Sequence, residues 1–304
     1  MSEPAPWDVI ALGETMLSLV AAGDLATASQ LFVTHGGAES NTCVGLARLG
    51  LRPAWVSRVG TDPPGDRIVS ALAGSDVDVG WVSRDEGRPT GVMLRDTVGT
   101  VRYYRTGSAA SALTLADLDG VPFTTARAVF VTGITALIGE TPRETALELL
   151  AQAGGLRVVD PNLRLGLWGS DRAVELIEPM IRCGDLVLGG ITELAAFVGD
   201  GEPAEVARRC GALGPREVVV KMGSAGAGVL DEAGRWHTHA PAPAAAVDPV
   251  GAGDAFNAGY LSARLDGEPP ERALVRGTMC GAAVAACLGD TEGFPTPAAR
   301  AARF

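Results

Sequence analysis

One stretch near the C-terminal end of the chain, running from Val247 to Gly259, constrains the fold most. Two prolines in residues 241–246 predict a loop before it, and the apolar spacing after Asp254 predicts a helix. Gly251-Ala252-Gly253 therefore lies where a loop turns into a helix N-terminus, whose N–H groups and dipole attract an anion. Asp254 lies in the first turn, where a carboxylate can act as a general base toward a hydroxyl that attacks this anion.

The string D-P-V-G-A-G-D-A-F-N also allows a purely structural interpretation, an aspartate-capped helix after a glycine turn. That interpretation suits a bare Gly-Ala-Gly-Asp, but the full string is more specific. It resembles the C-terminal signature of the ribokinase-like (PfkB) carbohydrate kinases, commonly D-T-x-G-A-G-D-x-F, with Pro249 at a position often held by threonine. The resemblance implies phosphoryl transfer from ATP to a sugar hydroxyl, with Asp254 as the base and the N–H groups of Ala252, Gly253 and Asp254 stabilising the transferred group.

A second motif lies far upstream, where Gly36-Gly37-Ala38-Glu39-Ser40-Asn41 leads into a helical pattern that ends at Gly50. Asn41 could present its amide to a polyhydroxylated ligand, although an asparagine at a helix start is also a common structural feature. The motif is similar to the N-terminal signature of the same family, in which the glycines and the asparagine grip the sugar. The resemblance implies that Gly36, Gly37 and Asn41 bind the substrate.

Continuous apolar runs alternate with helical patterns along much of the chain. Such runs predict a parallel sheet that is covered by helices on both faces. Glu14 follows the first run, at the strand end where open α/β sheets bind ligands. We expect an α/β fold, and the resemblance implies a ribokinase-like three-layer α/β/α arrangement with a mostly parallel central sheet. A helix is also predicted over 142–153, with Thr141 as its N-cap. The predicted strands are 9–12, 129–133, 157–160, 185–188 and 217–221.

Two further strands are predicted at 90–94 and 101–105, with Val101, Tyr103 and Arg105 on one face. This hairpin could cover a polar ligand, or it could be an edge hairpin whose charges prevent aggregation. Family members carry a β-sheet lid that is built from this segment and from the one after the first strand, and that often mediates dimerisation. The resemblance implies a single domain over 1–304, lid segments at approximately 14–35 and 89–108, and a homodimer or higher homo-oligomer formed through the lid.

A glycine-rich turn, K-M-G-S-A-G, follows the predicted strand 217–221. Alone, such a turn is weak evidence for nucleotide binding. The chain lacks the G-x-x-x-x-G-K-[ST] motif of P-loop proteins, so the phosphate cradle is predicted at Gly251–Gly253 instead. In the family, K-x-G-x-x-G borders ATP, and the resemblance therefore implies ATP contacts from Lys221, Gly223, Ser224 and Gly226, together with Gly251 and Gly253.

The resemblance implies ATP and Mg²⁺ as cofactors and raises K⁺ as a third. Family members usually carry N-x-x-E after the strand that corresponds to 185–188, where it helps to place Mg²⁺ and the phosphates. Here Glu193 is present but Gly190 replaces the asparagine. Glu193 is therefore predicted to act on the metal only indirectly, since water can substitute for a missing amide. A monovalent-cation site near Asp248 and the 289–293 turn is a further family feature that the sequence alone does not show.

Residues 103–111, 132–137 and 160–168 look like the branch of the family that phosphorylates 2-keto-3-deoxygluconate. In that branch the counterparts of Tyr103, Arg105 and Arg164 meet the keto-acid end of the substrate. An acidic sugar requires a planar, permanently charged donor, which arginine supplies. The structural alternative for Arg164 is an ion pair with Asp160. Specificity for fructose or a nucleoside, and a sugar- or nucleotide-binding sensor without catalysis, stay open as alternatives.

Charge and composition exclude several other classes of protein. A net charge of −11 without a Lys/Arg cluster argues against a nucleic-acid partner. Five cysteines, an odd number with no C-x-x-C pair, predict reduced thiols in a cytoplasmic protein. No segment reaches the ~18 apolar residues of a membrane span. We therefore expect a soluble protein without a membrane or nucleic-acid partner, and the resemblance implies that its partners are a small sugar acid and ATP.

Overall fold

The computed structural model describes residues 7–97, 99–163, 170–240 and 247–294. The strands in these ranges are, in chain order, β1 (Val9–Leu12), β2 (Met16–Ala21), β3 (Phe32–Gly36), β4 (Pro53–Gly60), β5 (Val82–Asp85), β6 (Val92–Asp96), β7 (Val101–Tyr104), β8 (Ala128–Thr132), β9 (Leu156–Asp160), β10 (Leu186–Gly190), β11 (Glu217–Lys221), β12 (Ala227–Leu230) and β13 (Trp236–His239). The α-helices in the same ranges are α1 (Ala38–Arg48), α2 (Pro63–Ala73), α3 (Gly133–Leu137), α4 (Glu140–Gln152), α5 (Ser170–Cys183), α6 (Ile191–Val198), α7 (Pro203–Gly211), α8 (Ala252–Leu265) and α9 (Pro270–Ala285).

Nine of the described strands form one large sheet in the order β13–β12–β11–β10–β9–β8–β1–β4–β5. Neighbouring strands from β11 through to β5 run parallel, and only β12 and β13 are added antiparallel at one edge. The five strands predicted at 9–12, 129–133, 157–160, 185–188 and 217–221 all belong to this sheet, with ends that shift by a residue or two. The prediction of a mostly parallel central sheet is confirmed.

Alternating side chains of the central strand β1 face two separate cores. Val9 and Ala11 pack in a core to which α1, α2, α8 and α9 contribute, whereas Ile10 and Leu12 pack on the opposite side with α3 to α7. All four side chains are fully buried, as expected for a strand that is covered on both faces. The three-layer α/β/α prediction is confirmed. Among the residues described, no helix has the length and apolar character that crossing a membrane requires.

A second, small sheet has the order β3–β2–β6–β7. Its β2–β6 pair is parallel, and β3 and β7 are added antiparallel at the two edges. We refer to these four strands as the small sheet. They fall in the two segments predicted for a lid, except that β3 extends to Gly36. The division of the chain into a single domain over 1–304 with two lid segments stays a prediction.

The start of α4 differs from the prediction. The helix begins at Glu140 with Gly139 as its N-cap, so the prediction of Thr141 as the cap is wrong. A Cβ on residue 139 would lie only 2.8 Å from the Ser111 carbonyl oxygen, and the glycine therefore lets the chain turn into the helix earlier. Pro142 fits within the first turn because N–H groups there have no helical acceptor.

Candidate active site

Two clefts meet at the N-terminus of α8. The first, of about 80 Å³, lies between the small sheet and the strand ends of the large sheet. The second, of about 520 Å³, extends toward β9, β10 and β11. Both are lined by Asn162, Val250, Gly251 and Asp254. A molecule bound in one cleft can therefore reach a molecule bound in the other at Asp254.

The turn into α8 depends on the glycine at its N-cap. Gly251 adopts φ 80° and ψ −12°, in the left-handed region, and a Cβ there would lie 2.3 Å from the carbonyl oxygen of Asp290. Ala252 then starts the helix, and its N–H donates to the Pro249 carbonyl at 3.3 Å. The first turn of α8 thus faces the junction of the two clefts. The predicted phosphate cradle at Gly251–Gly253 lies at this junction.

Asn41 and Asp254 come together across the first cleft. Asn41 Nδ2 donates to Asp254 Oδ2 at 2.8 Å, and both residues are buried. A carboxylate oxygen can only accept a hydrogen bond, so the Asn41 amide must direct its NH₂ group toward Asp254 and its Oδ1 away from it. That Oδ1 is buried and has no hydrogen-bond partner among the described residues. Buried polar atoms are rarely left unsatisfied, so the site is suited to a ligand hydroxyl that donates to Asn41.

Gly36 and Gly37 line the first cleft beside Asn41. A Cβ on Gly36 would lie 2.4 Å from Asp290 Oδ2, and one on Gly37 would lie 2.3 Å from the Glu14 carbonyl oxygen. Close packing behind the chain therefore requires glycine at both positions. The structure places all three residues of the N-terminal motif in one wall of this cleft.

Arg105 and Tyr103 face the same cleft from the small-sheet side. The guanidinium lies 5.7 Å from the centroid of the Tyr103 ring and forms an ion pair with Glu14. The other oxygen of Glu14, Oε1, accepts a hydrogen bond from Ser108 Oγ at 2.6 Å. Arg105 Nε is buried and has no hydrogen-bond partner in the part of the chain that the structure describes. Glu14 was noted in the sequence only for its position after β1, and its contact with Arg105 was not predicted.

Arg164 lies outside the described residues, so its predicted contact with the substrate stays a prediction. The structure does show the partners of Asp160, the residue proposed as its alternative partner. Asp160 Oδ2 accepts hydrogen bonds from Lys221 Nζ at 2.9 Å and from Asn257 Nδ2 at 2.6 Å. Lys221 Nζ also donates to Asn257 Oδ1 at 3.2 Å. Asp160 and Lys221 line the second cleft, and Asn257 contacts both of them. Neither Asp160 nor Asn257 was predicted to belong to the site.

Lys221 lines the second cleft and is positively charged there. Burial alone would lower the pKa of its ammonium group, but the carboxylates of Asp160, Glu193 and Asp254 outweigh burial and raise the pKa above its ordinary value. Lys221 therefore stays protonated at neutral pH. A Cβ on Gly253 would have Lys221 Nζ as its nearest neighbour, at 3.8 Å. An anion at the α8 N-terminus would thus also lie near this ammonium group.

The glycine-rich turn after β11 contributes only its first part to the second cleft. Gly223, with φ 56°, lines the cleft. Ser224 is exposed in the following 3₁₀ turn, and Gly226, with φ 91°, is buried behind it. Neither Ser224 nor Gly226 lines the described wall of the cleft. Their predicted contacts with ATP stay predictions.

Glu193 lines the second cleft but uses one carboxylate oxygen locally. Its Oε2 accepts the Gly190 N–H at 2.8 Å, which caps α6. A Cβ on residue 190 would lie 3.1 Å from that oxygen, so Gly190 leaves room for the carboxylate to fold back. No group of three or more His, Cys, Asp or Glu residues within the described ranges could hold a metal ion. These residues therefore fit Mg²⁺ only as an ion held mainly by phosphates and water, with Glu193 as an indirect partner.

Asp248 forms an ion pair with the guanidinium of Arg95. Arg95 of β6 donates from Nη1 to Asp248 Oδ2 and from Nη2 to Asp290 Oδ1, both at 2.7 Å. All three residues are buried. Burial raises the pKa of Asp290 to about 6, although Arg95 acts in the opposite direction. The family resemblance raised a monovalent-cation site near Asp248, and the sequence gave no indication of Arg95, which is 153 residues away.

A buried carboxylate beside a helix N-terminus, at the junction of two clefts, is the arrangement of an enzyme that transfers an anionic group to a hydroxyl. The chain belongs to the pfkB family of carbohydrate kinases, whose family model matches residues 8–297. The prediction from the two signatures is confirmed, and with it the prediction of a sugar phosphotransferase.

Individual relatives resemble the chain over nearly its whole length. A 2-dehydro-3-deoxygluconokinase of Bacillus subtilis is 34% identical over 300 residues, which cover 95% of this chain and 93% of the relative. A fructokinase of Klebsiella pneumoniae is 31% identical over 301 residues, covering 93% and 95%. The crystal structure of a PfkB protein from Polaromonas sp. JS666 matches with a TM-score of 0.84 and 37% identity, covering 93% of this chain and 97% of that one.

Proposed function

We propose that this kinase phosphorylates 2-keto-3-deoxygluconate (2-dehydro-3-deoxygluconate) with ATP as the phosphoryl donor. The observation that carries the choice of sugar is Arg105, a guanidinium in the wall of the first cleft with a buried Nε that has no partner among the described residues. An acidic sugar offers a planar carboxylate that a guanidinium can bind through two hydrogen bonds. The similarity to the Bacillus subtilis 2-dehydro-3-deoxygluconokinase supports the same substrate.

Glu14 defines how the acid group of the sugar would approach. It neutralises part of the charge on Arg105 and, with Ser108 as its own partner, holds the guanidinium in one orientation. A substrate carboxylate would be repelled by Glu14 and would accept a hydrogen bond from the Nε–H, which has no partner among the described residues. An arginine that is already oriented loses little side-chain entropy on binding, which favours affinity.

Transfer would occur where the two clefts meet. The sugar hydroxyl donates its proton to Asp254, and the hydroxyl oxygen forms a bond to the γ-phosphorus. The bond from that phosphorus to the β–γ bridging oxygen breaks, so that ADP leaves. The N–H groups of Gly253 and Asp254 and the ammonium of Lys221 stabilise the charge on the transferred group. Asn41 keeps Asp254 in position through its 2.8 Å hydrogen bond.

The second cleft would hold the nucleotide. Its wall contains Lys221 and Gly223, and its volume of about 520 Å³, against about 80 Å³ for the first cleft, suits a ligand larger than the sugar. Mg²⁺ bound to the phosphates would neutralise part of their charge, and Glu193 would hold it through water.

An ATP-consumption assay with Mg²⁺ tests the proposal directly. The acceptors are 2-keto-3-deoxygluconate, its C4 epimer 2-keto-3-deoxygalactonate, fructose, ribose and adenosine, with Asp254→Asn as the blank. We expect the highest kcat/KM with 2-keto-3-deoxygluconate and its loss in the variant. A preference for fructose would instead support the alternative that the Klebsiella pneumoniae fructokinase suggests. Absence of turnover with every acceptor would favour a sugar- or nucleotide-binding sensor.

We further propose that the chain is cytoplasmic and associates with itself through the small sheet. Leu31, Phe32 and Val33, around the start of its edge strand β3, are 38%, 48% and 37% exposed, and a contiguous run of exposed apolar side chains is typical of an interaction surface. The five cysteines are free thiols, as expected in a reducing compartment. Light scattering should give the mass of a dimer or larger oligomer for the wild type and a smaller mass for Phe32→Glu. Equal masses for the two proteins would place the interface elsewhere.

A further inference from the structure

Arg95 forms a buried ionic cluster with Asp248 and Asp290. Its side chain is 1% exposed, and each carboxylate is 4% exposed. Taking an arginine and two aspartates out of water is costly, and it is tolerated only where the charges are paired with good geometry. Two hydrogen bonds of 2.7 Å meet that condition. The guanidinium therefore balances one of the two negative charges and contacts both carboxylates.

This cluster holds the two segments that frame the start of α8. Asp248 accepts hydrogen bonds from the N–H of Val250 at 3.1 Å and from the N–H of Gly289 at 3.3 Å. The carbonyl oxygen of Asp290 packs so closely on Gly251 that a Cβ would lie 2.3 Å from it. The position of the N-cap glycine, and through it the first turn with Asp254, depends on where these two aspartates are held.

The cluster also occupies the place where a monovalent cation was expected. Both oxygens of Asp248 already accept hydrogen bonds, Oδ2 from Arg95 and Oδ1 from the backbone of Val250. An alkali-metal ion bound to the same oxygen of Asp248 would lie only a few Å from this fixed positive charge, which repels it more strongly in a buried site than in water. The residues present at Asp248 therefore do not fit a monovalent metal ion.

We propose that the guanidinium of Arg95 serves as a built-in cation beneath the anion-binding turn, and that this kinase consequently works without K⁺ or Na⁺. Arg95 is then a positioning residue, which acts on Asp254 through the 248–251 segment without contacting the substrate. The inference rests on phosphoryl transfer at the α8 N-terminus, but it is independent of which sugar is the acceptor.

The position of Arg95 on β6 has a further consequence. The same strand carries Met93, which lines the first cleft, while Thr34 of β3 donates to Glu292 at 3.2 Å in the turn that contains Asp290. The small sheet is thus attached to the loop that positions Asp254. A displacement of this sheet would change the alignment of the phosphate cradle as well as the sugar cleft.

The first test compares the wild-type enzyme in KCl, NaCl and tetramethylammonium chloride at equal ionic strength. The readouts are kcat with the best acceptor sugar and the melting temperature without any substrate. We expect the same kcat and the same Tm in all three salts. Because an ion that binds the native state raises Tm with its concentration, a higher Tm or kcat in K⁺ alone would overturn the proposal. Tm requires no sugar, so this result does not depend on the proposed substrate.

The second test uses substitutions of Arg95, the proposed built-in cation. Arg95→Met keeps the bulk but removes the charge, and we expect kcat to fall by about 10²-fold through misplacement of Asp254, with a lower Tm and little change in the Kd for the sugar. Addition of K⁺ should raise Tm and kcat of this variant while leaving the wild type unchanged. Arg95→Lys keeps a charge and should recover part of kcat without a requirement for K⁺.

Arg102→Met is the matched control, because Arg102 is exposed on the neighbouring strand β7 of the same sheet. It should behave as the wild type in every salt. Arg95→Met with the kcat of the wild type would contradict the proposal. If Arg95→Met does not fold, the proposal is tested by Arg95→Lys and by the salt series on the wild type. An Arg95→Lys enzyme that needs K⁺ for turnover would also contradict the proposal.

Discussion

The start of α8 and the small sheet are built in different ways. Around α8, the glycine turn, the helix N-terminus and Asp254 follow one another within residues 251–254. In the small sheet, Arg105 depends on Glu14, and Arg95 depends on Asp248, which is 153 residues away. The part of the site to which we assign phosphoryl transfer is therefore encoded locally. The part to which we assign recognition of the sugar, and the placement of the transfer site, is assembled only by the tertiary fold.

The largest expected effect is on the chemical step. Asp254→Asn should lower kcat by about 10²–10⁴-fold, because an amide cannot take the proton from the sugar hydroxyl. The Kd for the sugar should change little, since the new Oδ1 can still accept from Asn41. Steady-state kinetics and calorimetry measure the two quantities. Asp266→Asn, at the other end of the same helix, is the control and should keep full activity. A wild-type kcat in Asp254→Asn would show that the transfer site lies elsewhere.

Substitution of two glycines, one at each end of α8, tests whether the turn before the helix depends on its contact with Asp290. Gly251 and Gly267 have φ 80° and 85°, but only at Gly251 would a Cβ meet the backbone, 2.3 Å from the Asp290 carbonyl oxygen. Gly267→Ala should cost about 1 kcal/mol of unfolding free energy through its backbone conformation alone.

Gly251→Ala adds overpacking to the same strain and should cost about 2–4 kcal/mol. It should also lower kcat, whereas Gly267→Ala should not. Urea unfolding and steady-state kinetics on both variants provide the comparison. Equal losses of stability and activity in the two variants would mean that the contact with Asp290 does not hold the turn.

A smaller effect is expected on the pH dependence of stability, through the cluster of Arg95, Asp248 and Asp290 that joins the two regions. Burial raises the pKa of Asp290 to about 6, above the ~3.9 of an unfolded chain. The native state therefore binds this proton more tightly, and the resulting stability is fully present below pH ~4 and is lost as the pH rises through about 6. Over this interval the unfolding free energy of the wild type should fall relative to Asp290→Asn by up to ~1.4 kcal/mol per pH unit.

Urea titrations of both proteins between pH 4 and pH 7 measure this difference. Asp290→Asn keeps the shape of the side chain but cannot titrate, so the pH dependence of all other groups cancels in the comparison. A difference in unfolding free energy that stays constant over this interval would show that Asp290 is already ionised at pH 4 and paired with Arg95 throughout.

Local patterns explain what the sequence could predict. The apolar runs identified the parallel strands because a strand covered on both faces needs apolar residues at every position. Asp254, Gly251 and Asn41 could be predicted as site residues because each lies in a short sequence motif, and the structure places all three in the wall of the first cleft. The signatures around them also led to the correct family.

Long-range pairing explains what the sequence could not predict. Arg95 lies in a short strand with no feature that separates it from a surface arginine, and its burial follows only from the approach of Asp248 and Asp290. The contact of Asp160 with Lys221 likewise joins the ends of two strands, 61 residues apart. The wrong cap for α4 has a related cause in part, because a Cβ on residue 139 would meet Ser111, which is distant in sequence, as well as the nearby Pro142.

The most direct test separates the two regions in one experiment. It compares kcat/KM for 2-keto-3-deoxygluconate and for fructose in the wild type, Asp254→Asn, Arg105→Gln and the control Arg102→Gln. We predict that Asp254→Asn lowers both values, whereas Arg105→Gln lowers only that for the sugar acid, by about 10- to 100-fold, which corresponds to a lost hydrogen bond between charged groups. Equal losses for the acid and the neutral sugar in Arg105→Gln would contradict the assignment of acid recognition to the small sheet.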